Sequence, residues 1–404
     1  MTDRQDDTAP AAMANIPEVS LEEASLLDEA RKNTGLDDFG DPIFRDGLRR
    51  LLDSLEREAR LTAIGRLIAH SEMLRHLENR LRVTADWKRW PEIGEVVIEK
   101  PIFVVGLPRT GSTTLHDLFA QAPGNRVPLT WECHRPSPPP ERASYDSDPR
   151  IAECQAHIDM TSGALIPEFK AIHPMGALLA QECVMLQASD FMSIIFANQF
   201  RIPSYERWVE AVDLRPSYAT HRRQLQYMQW RCPGERWVLK SVGHLWGLEA
   251  LFDVYPDARV VMTHRDPLKL IASHCSLVSM ASSMGSDQVD DAEIGREWSR
   301  SWEGAMRKGI AFRESGKVPP ERFFDMKFPE FIRDPIAMVR RIYEHFGLDL
   351  SPDDEERMSG FMAENPPDKH GKHSYTLERF GLERAVERER YRFYQEHYGV
   401  ASDD

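Results

Sequence analysis

The chain has 404 residues, 41% hydrophobic and 29% charged, with a formal net charge of −14. Those proportions exclude a disordered or fibrous class, and the length suits one large α/β domain with additions, or two domains. The acidic balance disfavours nonspecific binding to nucleic acid or to an anionic membrane surface, so any anion site has to be local.

Residues 1–19 read as a mobile leader. They begin Met-Thr-Asp-Arg-Gln-Asp-Asp and lack the cationic start and apolar centre of a secretory signal. No apolar run approaches the roughly 20 residues of a membrane-spanning helix. The five cysteines, 133, 154, 183, 232 and 275, form no C-x-x-C pair. That argues against a disulfide framework or a cysteine metal site and for a reduced, cytoplasmic location.

Residues 20–95 form a helical extension in which Leu48, Leu51, Leu52 and Leu55 recur at helical spacing, a pattern that continues to about Leu81. Its charge-laced faces read as solvated packing surface, and the oligomeric state stays open, with these helices available to pair two copies.

From residue 96 to 404 short apolar runs alternate with helical periods. Ile102–Val105 is a strand followed by a helix carrying Leu115, Leu118, Phe119 and Ala122, which Pro123 ends. Trp237–Lys240, Val260–His264 and the short Phe323–Phe324 are further strands, each followed by a helical period. The alternation predicts an α/β domain with a parallel sheet flanked by helices and ligands at the carboxyl ends of the strands. Residues 124–236 form a long, mainly helical insertion on the acceptor side. It opens on the proline-rich stretch 135–141, and its Met185, Phe191, Met192, Ile194, Ile195, Phe196 and Phe200 suit either an apolar pocket or plain core.

The most informative segment is 101–115, Pro-Ile-Phe-Val-Val-Gly-Leu-Pro-Arg-Thr-Gly-Ser-Thr-Thr-Leu. A buried strand running through a glycine loop into a helix makes an anion cradle, because backbone N–H groups and the positive end of the helix dipole converge on one point. A nucleotide-triphosphatase loop reads G-x-x-x-x-G-K-[ST]; here Gly111 is followed by Ser112 and Thr113, and the cation is Arg109, inside the loop. Without the lysine that reaches β- and γ-phosphates, the donor should carry a shorter, differently charged anion. A second cation closes the third strand, where Arg265-Asp-Pro-Leu-Lys-Leu-Ile-Ala-Ser273 places an arginine at a strand end and a hydroxyl about two turns into the next helix. The His264-Arg265-Asp266 triplet does not make a kinase catalytic loop: Ile271 stands where the metal-binding asparagine belongs, no D-F-G follows, and Pro267 starts a helix.

These two elements resemble, in order and placement, the 5′-phosphosulfate loop and the R-x-P-x-x-x-x-x-S element of sulfotransferases that use 3′-phosphoadenosine 5′-phosphosulfate (PAPS). The resemblance covers roughly residues 98–350, and Trp237–Trp246 looks like the lysine-bearing second strand of a bacterial branch. It implies a P-loop-like fold, PAPS as co-substrate with its desulfated form PAP as product, and no metal. Arg109, Thr110, Gly111, Ser112, Thr113 and Thr114 would hold the 5′-phosphosulfate, Arg265 and Ser273 the 3′-phosphate, and Lys240 would neutralise charge on the leaving phosphate. Glu132 and His244 are both candidates for general base, Glu132 slightly preferred. The cytosolic eukaryotic members carry a tryptophan at the position of Thr114, so adenine must stack elsewhere, with His370–Tyr375 a substitute segment. The acceptor is a small molecule bearing a hydroxyl or amine, whether lipid, sterol, aromatic alcohol or sugar. A small-molecule kinase with an atypical loop and a silent nucleotide-binding protein are the competing readings.

Overall fold

The computed structural model describes residues 16–165, 175–366 and 375–403. Its centre is a five-stranded parallel sheet of β1 (Ile102–Gly106), β2 (Asn125–Arg126), β3 (Arg236–Lys240), β4 (Arg259–His264) and β5 (Phe323–Lys327), in the order β2-β3-β1-β4-β5. β1 lies between β3 and β4, with Phe103 opposite both Leu239 and Val260, and all five of its residues are buried. The apolar run that predicted a strand is unbroken because helices cover both faces. Ile102, Val104, Val238 and Val261 pack on one face with Leu115 and Phe119 of the following helix α4 (Ser112–Ala120) and with Ile342 and Phe346. Phe103, Val105, Leu239 and Val260 face the larger core on the other side. The two-residue edge strand β2 was too short to show any periodicity in the sequence.

The amphipathic extension folds as α1 (Glu23–Thr34), α2 (Phe44–Glu58) and α3 (Ala63–Arg89). Leu48, Leu51, Leu52, Leu55, Leu77 and Leu81 bury their side chains in the same core as Phe103. The continuous leucine pattern is interrupted where Arg60 takes a left-handed φ of 50° and Thr62 caps α3 by accepting from Gly65 N at 3.0 Å. In the insertion, Phe191, Met192, Ile194, Phe196 and Phe200 are core, whereas Met185 and Ile195 are half-buried. No described helix is long and apolar enough to cross a membrane.

Candidate functional site

The parallel order brings the carboxyl ends of β1, β3 and β4 side by side, so the glycine loop, Lys240 and Arg265 meet at one edge of the sheet. At Gly106 an added Cβ would collide with Thr263, coming within 2.6 Å of its carbonyl oxygen. At Gly111 φ is +83°, and an added Cβ would lie 2.9 Å from the Phe331 ring. The loop therefore needs both glycines to turn tightly into α4. Arg109 also takes a left-handed φ, 63°, without being glycine, an uncommon conformation that costs about 1 kcal/mol or more and sits where the candidate site is.

Gly111 caps α4 with no side-chain hydrogen bond, and Leu115 N donates to Gly111 O at 3.0 Å. The amides of Ser112, Thr113 and Thr114 consequently open the helix without an intrahelical acceptor, as an anion cradle requires. Thr110 is fully buried, its hydroxyl donating to Leu107 O at 2.7 Å and lying 2.5 Å from Thr263 Oγ1. Of the expected hydroxyl donors, Thr110 thus braces the loop from within, while Thr113 is exposed and Thr114 half-buried.

Lys240 is 5% exposed at the end of β3, and its Nζ donates to Thr113 Oγ1 at 3.0 Å and to Glu182 Oε1 at 2.6 Å. Beside it on α4, burial and then the Lys240 charge hold His116 down to about 4. Asp117 moves up to about 6, because burial outweighs the opposing pull of Lys240.

The two sequence-predicted clamps touch. Arg265 Nη1 donates to Arg109 O at 3.1 Å, so the second motif fixes the strained peptide of the first. The Arg265 guanidinium also stacks 4.1 Å from the Phe328 ring centroid and pairs with Asp403 at 3.2 Å. Asp266 caps the helix Pro267–Ser283 by accepting from Leu268 N at 3.1 Å and is held by Arg388 at 2.8 and 3.0 Å. Ser273 is 7% exposed, and the nearby Tyr375 hydroxyl is pushed up by burial against the opposing effects of Arg109 and Ser273. Residues 370–374 of the segment proposed to meet adenine lie outside the described residues; Tyr375 is the part placed beside Arg109 and Ser273.

Both base candidates read from the sequence are buried and held by partners. Glu132 is 1% exposed, with Oε1 accepting from Arg126 at 2.7 Å and Oε2 from Leu129 N at 2.9 Å. Both of its oxygens are thus committed to structure. His244 is fully buried, its Nδ1 2.6 Å from the Tyr218 hydroxyl and its ring edge-on to Phe103. Burial, helped by His221, holds its pKa well below the ordinary histidine value. His244 lies in the short turn Val242–Trp246, its ring packed among Phe103, Tyr218 and His221. The carboxylate that does meet Lys240 is Glu182, 21% exposed. It has no fixed spacing from either motif. Its only mark in the sequence is a lone acid at the head of the apolar run Cys183-Val-Met-Leu186. Among the described residues, no group of three or more His, Cys, Asp or Glu side chains is arranged to hold a metal ion.

A model of the Sulfotransferase family matches residues 101–352, well over half of the chain. The fold superposes on the crystal structure of sulfotransferase STF1 from Mycobacterium tuberculosis H37Rv with a TM-score of 0.82 and 34% identity, covering 92% of this chain and 98% of that one. For sulfotransferase STF9 from Mycobacterium avium the TM-score is 0.86 and the identity 29%, over 95% of this chain and 98% of that one. A characterised relative, omega-hydroxy-beta-dihydromenaquinone-9 sulfotransferase Stf3 of Mycobacterium tuberculosis, is 25% identical over 307 residues, 70% of this chain and 72% of that protein. The chain therefore belongs to the sulfotransferase family and is a sulfotransferase enzyme.

Proposed function

We propose that this sulfotransferase moves a sulfuryl group from PAPS to the hydroxyl of an apolar, lipid-like acceptor. The observation that carries the reading is the Lys240 ammonium, shared between Thr113 of the uncapped helix and the Glu182 carboxylate. One cation there touches both the anion cradle and a potential base. The named activity of Stf3 on a hydroxylated menaquinone derivative supports a lipid alcohol as acceptor.

In this reading the amides of residues 112–114, with Arg109, hold the 5′-phosphosulfate, and Arg265 with Ser273 holds the 3′-phosphate. PAPS supplies an electrophilic sulfur bonded to a phosphate leaving group. Glu182 accepts the acceptor's hydroxyl proton as the acceptor oxygen bonds to sulfur. Lys240, Arg109 and the helix N-terminus meet the negative charge that passes to the phosphate oxygen when the old S–O bond breaks. A charged residue buried at a strand end supplies this with little reorganisation, since Lys240 is already held by two oxygens. The open N-cap of α4 and the Arg265–Arg109 contact fit a bisphosphorylated nucleotide better than a triphosphate with magnesium.

Thermal unfolding with and without nucleotide tests the donor. PAP at about 100 times its Kd should stabilise the protein by about 2.7 kcal/mol, with ATP and magnesium at the same concentration giving far less. Equal protection by the two would sink the PAPS reading. Mass analysis of products after incubation with PAPS and hydroxylated lipids then identifies the acceptor class.

A further inference from the structure

The residues that follow the helix Arg384–Tyr398 reach back to the second motif. Gly399 takes a left-handed φ of 60°, and Val400 N donates to Gln395 O at 2.9 Å, so the chain folds over the end of that helix. Lys327, which closes β5, donates from Nζ to Gly399 O at 3.1 Å. The Gln395 side-chain amide donates to Val400 O and to Ser402 Oγ, each at 3.3 Å. Asp403 N then donates to Asp266 Oδ2 at 2.9 Å. Lys327 lies opposite His264 in the sheet, so residues 399–403 run across the carboxyl ends of β5 and β4.

This run delivers a carboxylate to a guanidinium whose other approaches are taken. Arg265 Nη1 is committed to Arg109 O, and the Phe328 ring covers a face of the group. An oxyanion that meets Arg265 side-on must therefore use the edge that carries Nε. Asp403 Oδ2 accepts from that Nε at 3.2 Å. A carboxylate and a phosphate seek the same fork, and two like charges do not share it. The pair is also open to water, for Arg265 keeps 26% of its side chain accessible and Asp403 30%. An ion pair so exposed is screened and weak, so a phosphate of higher charge can take its place.

We propose that Asp403 stands in for the donor's 3′-phosphate in the free enzyme and leaves Arg265 when that phosphate arrives. The inference rests on the assignment of Arg265 to the 3′-phosphate and adds to it a competitor within the chain. Before the donor binds, the carboxylate holds Arg265 beside the Arg109 peptide, and its return as PAP leaves lowers the affinity for that product. A nucleotide with a 5′-phosphate alone, such as AMP, fills the cradle without claiming the Arg265 edge and leaves Asp403 where it is.

Calorimetric titration of PAP and of AMP into the native protein, Asp403→Ala, Arg265→Ala and the double variant tests this. Removing the competitor should tighten PAP by about 2- to 10-fold, the gain when a binding-competent state populated at about a half to a tenth becomes the only one. AMP affinity should change by less than about twofold, the part owed to removing a negative charge. With Arg265 already replaced, Asp403→Ala should leave PAP affinity unchanged, since the carboxylate acts only through that guanidinium. Asp403→Asn, which removes the charge and keeps the shape, repeats the comparison should alanine disturb the turn. A PAP gain under about twofold, a loss of PAP affinity, an equal gain for AMP, or the same gain without Arg265 overturns the proposal. Retention of the native preference for PAP over AMP in Arg265→Ala would instead overturn the assignment of Arg265 to the 3′-phosphate, a separate outcome.

Discussion

Lys240 ties the loop helix to the insertion, because β3 delivers its ammonium to Thr113 and Glu182 at once. Glu182→Gln should lower kcat by about 10²- to 10⁴-fold with PAP affinity retained, the range for loss of a general base. Steady-state kinetics at saturating donor check this against Glu132→Gln and His244→Asn, whose main effect should be on stability. Glu132→Gln would weaken the partner of Arg126, and His244→Asn would disturb a buried ring. A kcat for Glu182→Gln within tenfold of native would remove it from the base role. Asp117 gives a pH signature. Its pKa is raised from 3.8 to about 6, so the folded state holds its proton more tightly than the unfolded chain does. This group therefore weakens the fold progressively as pH rises through that window, and the cost is complete above it, about 1 to 3 kcal/mol after allowance for partial exposure. Asp117→Asn should be more stable than native at pH 7.5 and nearly equal to it at pH 3.5. Denaturant melts at the two values decide it, and an equal difference at both would refute the assignment.

At the scale of elements, the same local devices that marked the sequence build the site. The turn from β1 into α4 was legible because Gly106 and Gly111 bracket it, and both prove to be places where a Cβ collides. Pro267 starts its helix as read, with Asp266 as cap. Other junctions depend on distant neighbours and left no local mark. Gly65, in the first turn of α3, packs against the backbone of Gly285, which follows the helix Pro267–Ser283; an added Cβ would overlap the Gly285 carbonyl and come within 2.6 Å of its Cα. Thr62 N donates to the same carbonyl at 2.9 Å, so the contact also anchors the start of α3. Gly65→Ala should therefore destabilise the protein by about 1–3 kcal/mol by overpacking, despite alanine's better helix propensity. A melting temperature at or above native would show that this junction yields freely.

Across the whole molecule, the insertion reaches the carboxyl ends of the central strands, where it brings Glu182 to Lys240. The sequence by itself determined the parallel sheet, the glycine cradle with Arg109 in place of a lysine, and the Arg265 motif. Those features are written in short-range spacing, where a strand's apolar run, a glycine's backbone freedom and a helix start fall within a few residues of one another. Only the tertiary structure decided which carboxylate faces Lys240. Glu132 and His244 had suitable chemistry and a suitable place along the chain, and the fold buries both and gives each a hydrogen-bonded partner. Glu182 stands 58 residues from Lys240 and acquires its position through the fold alone, because a side chain's access to a reaction centre depends on what packs around it rather than on its distance along the chain.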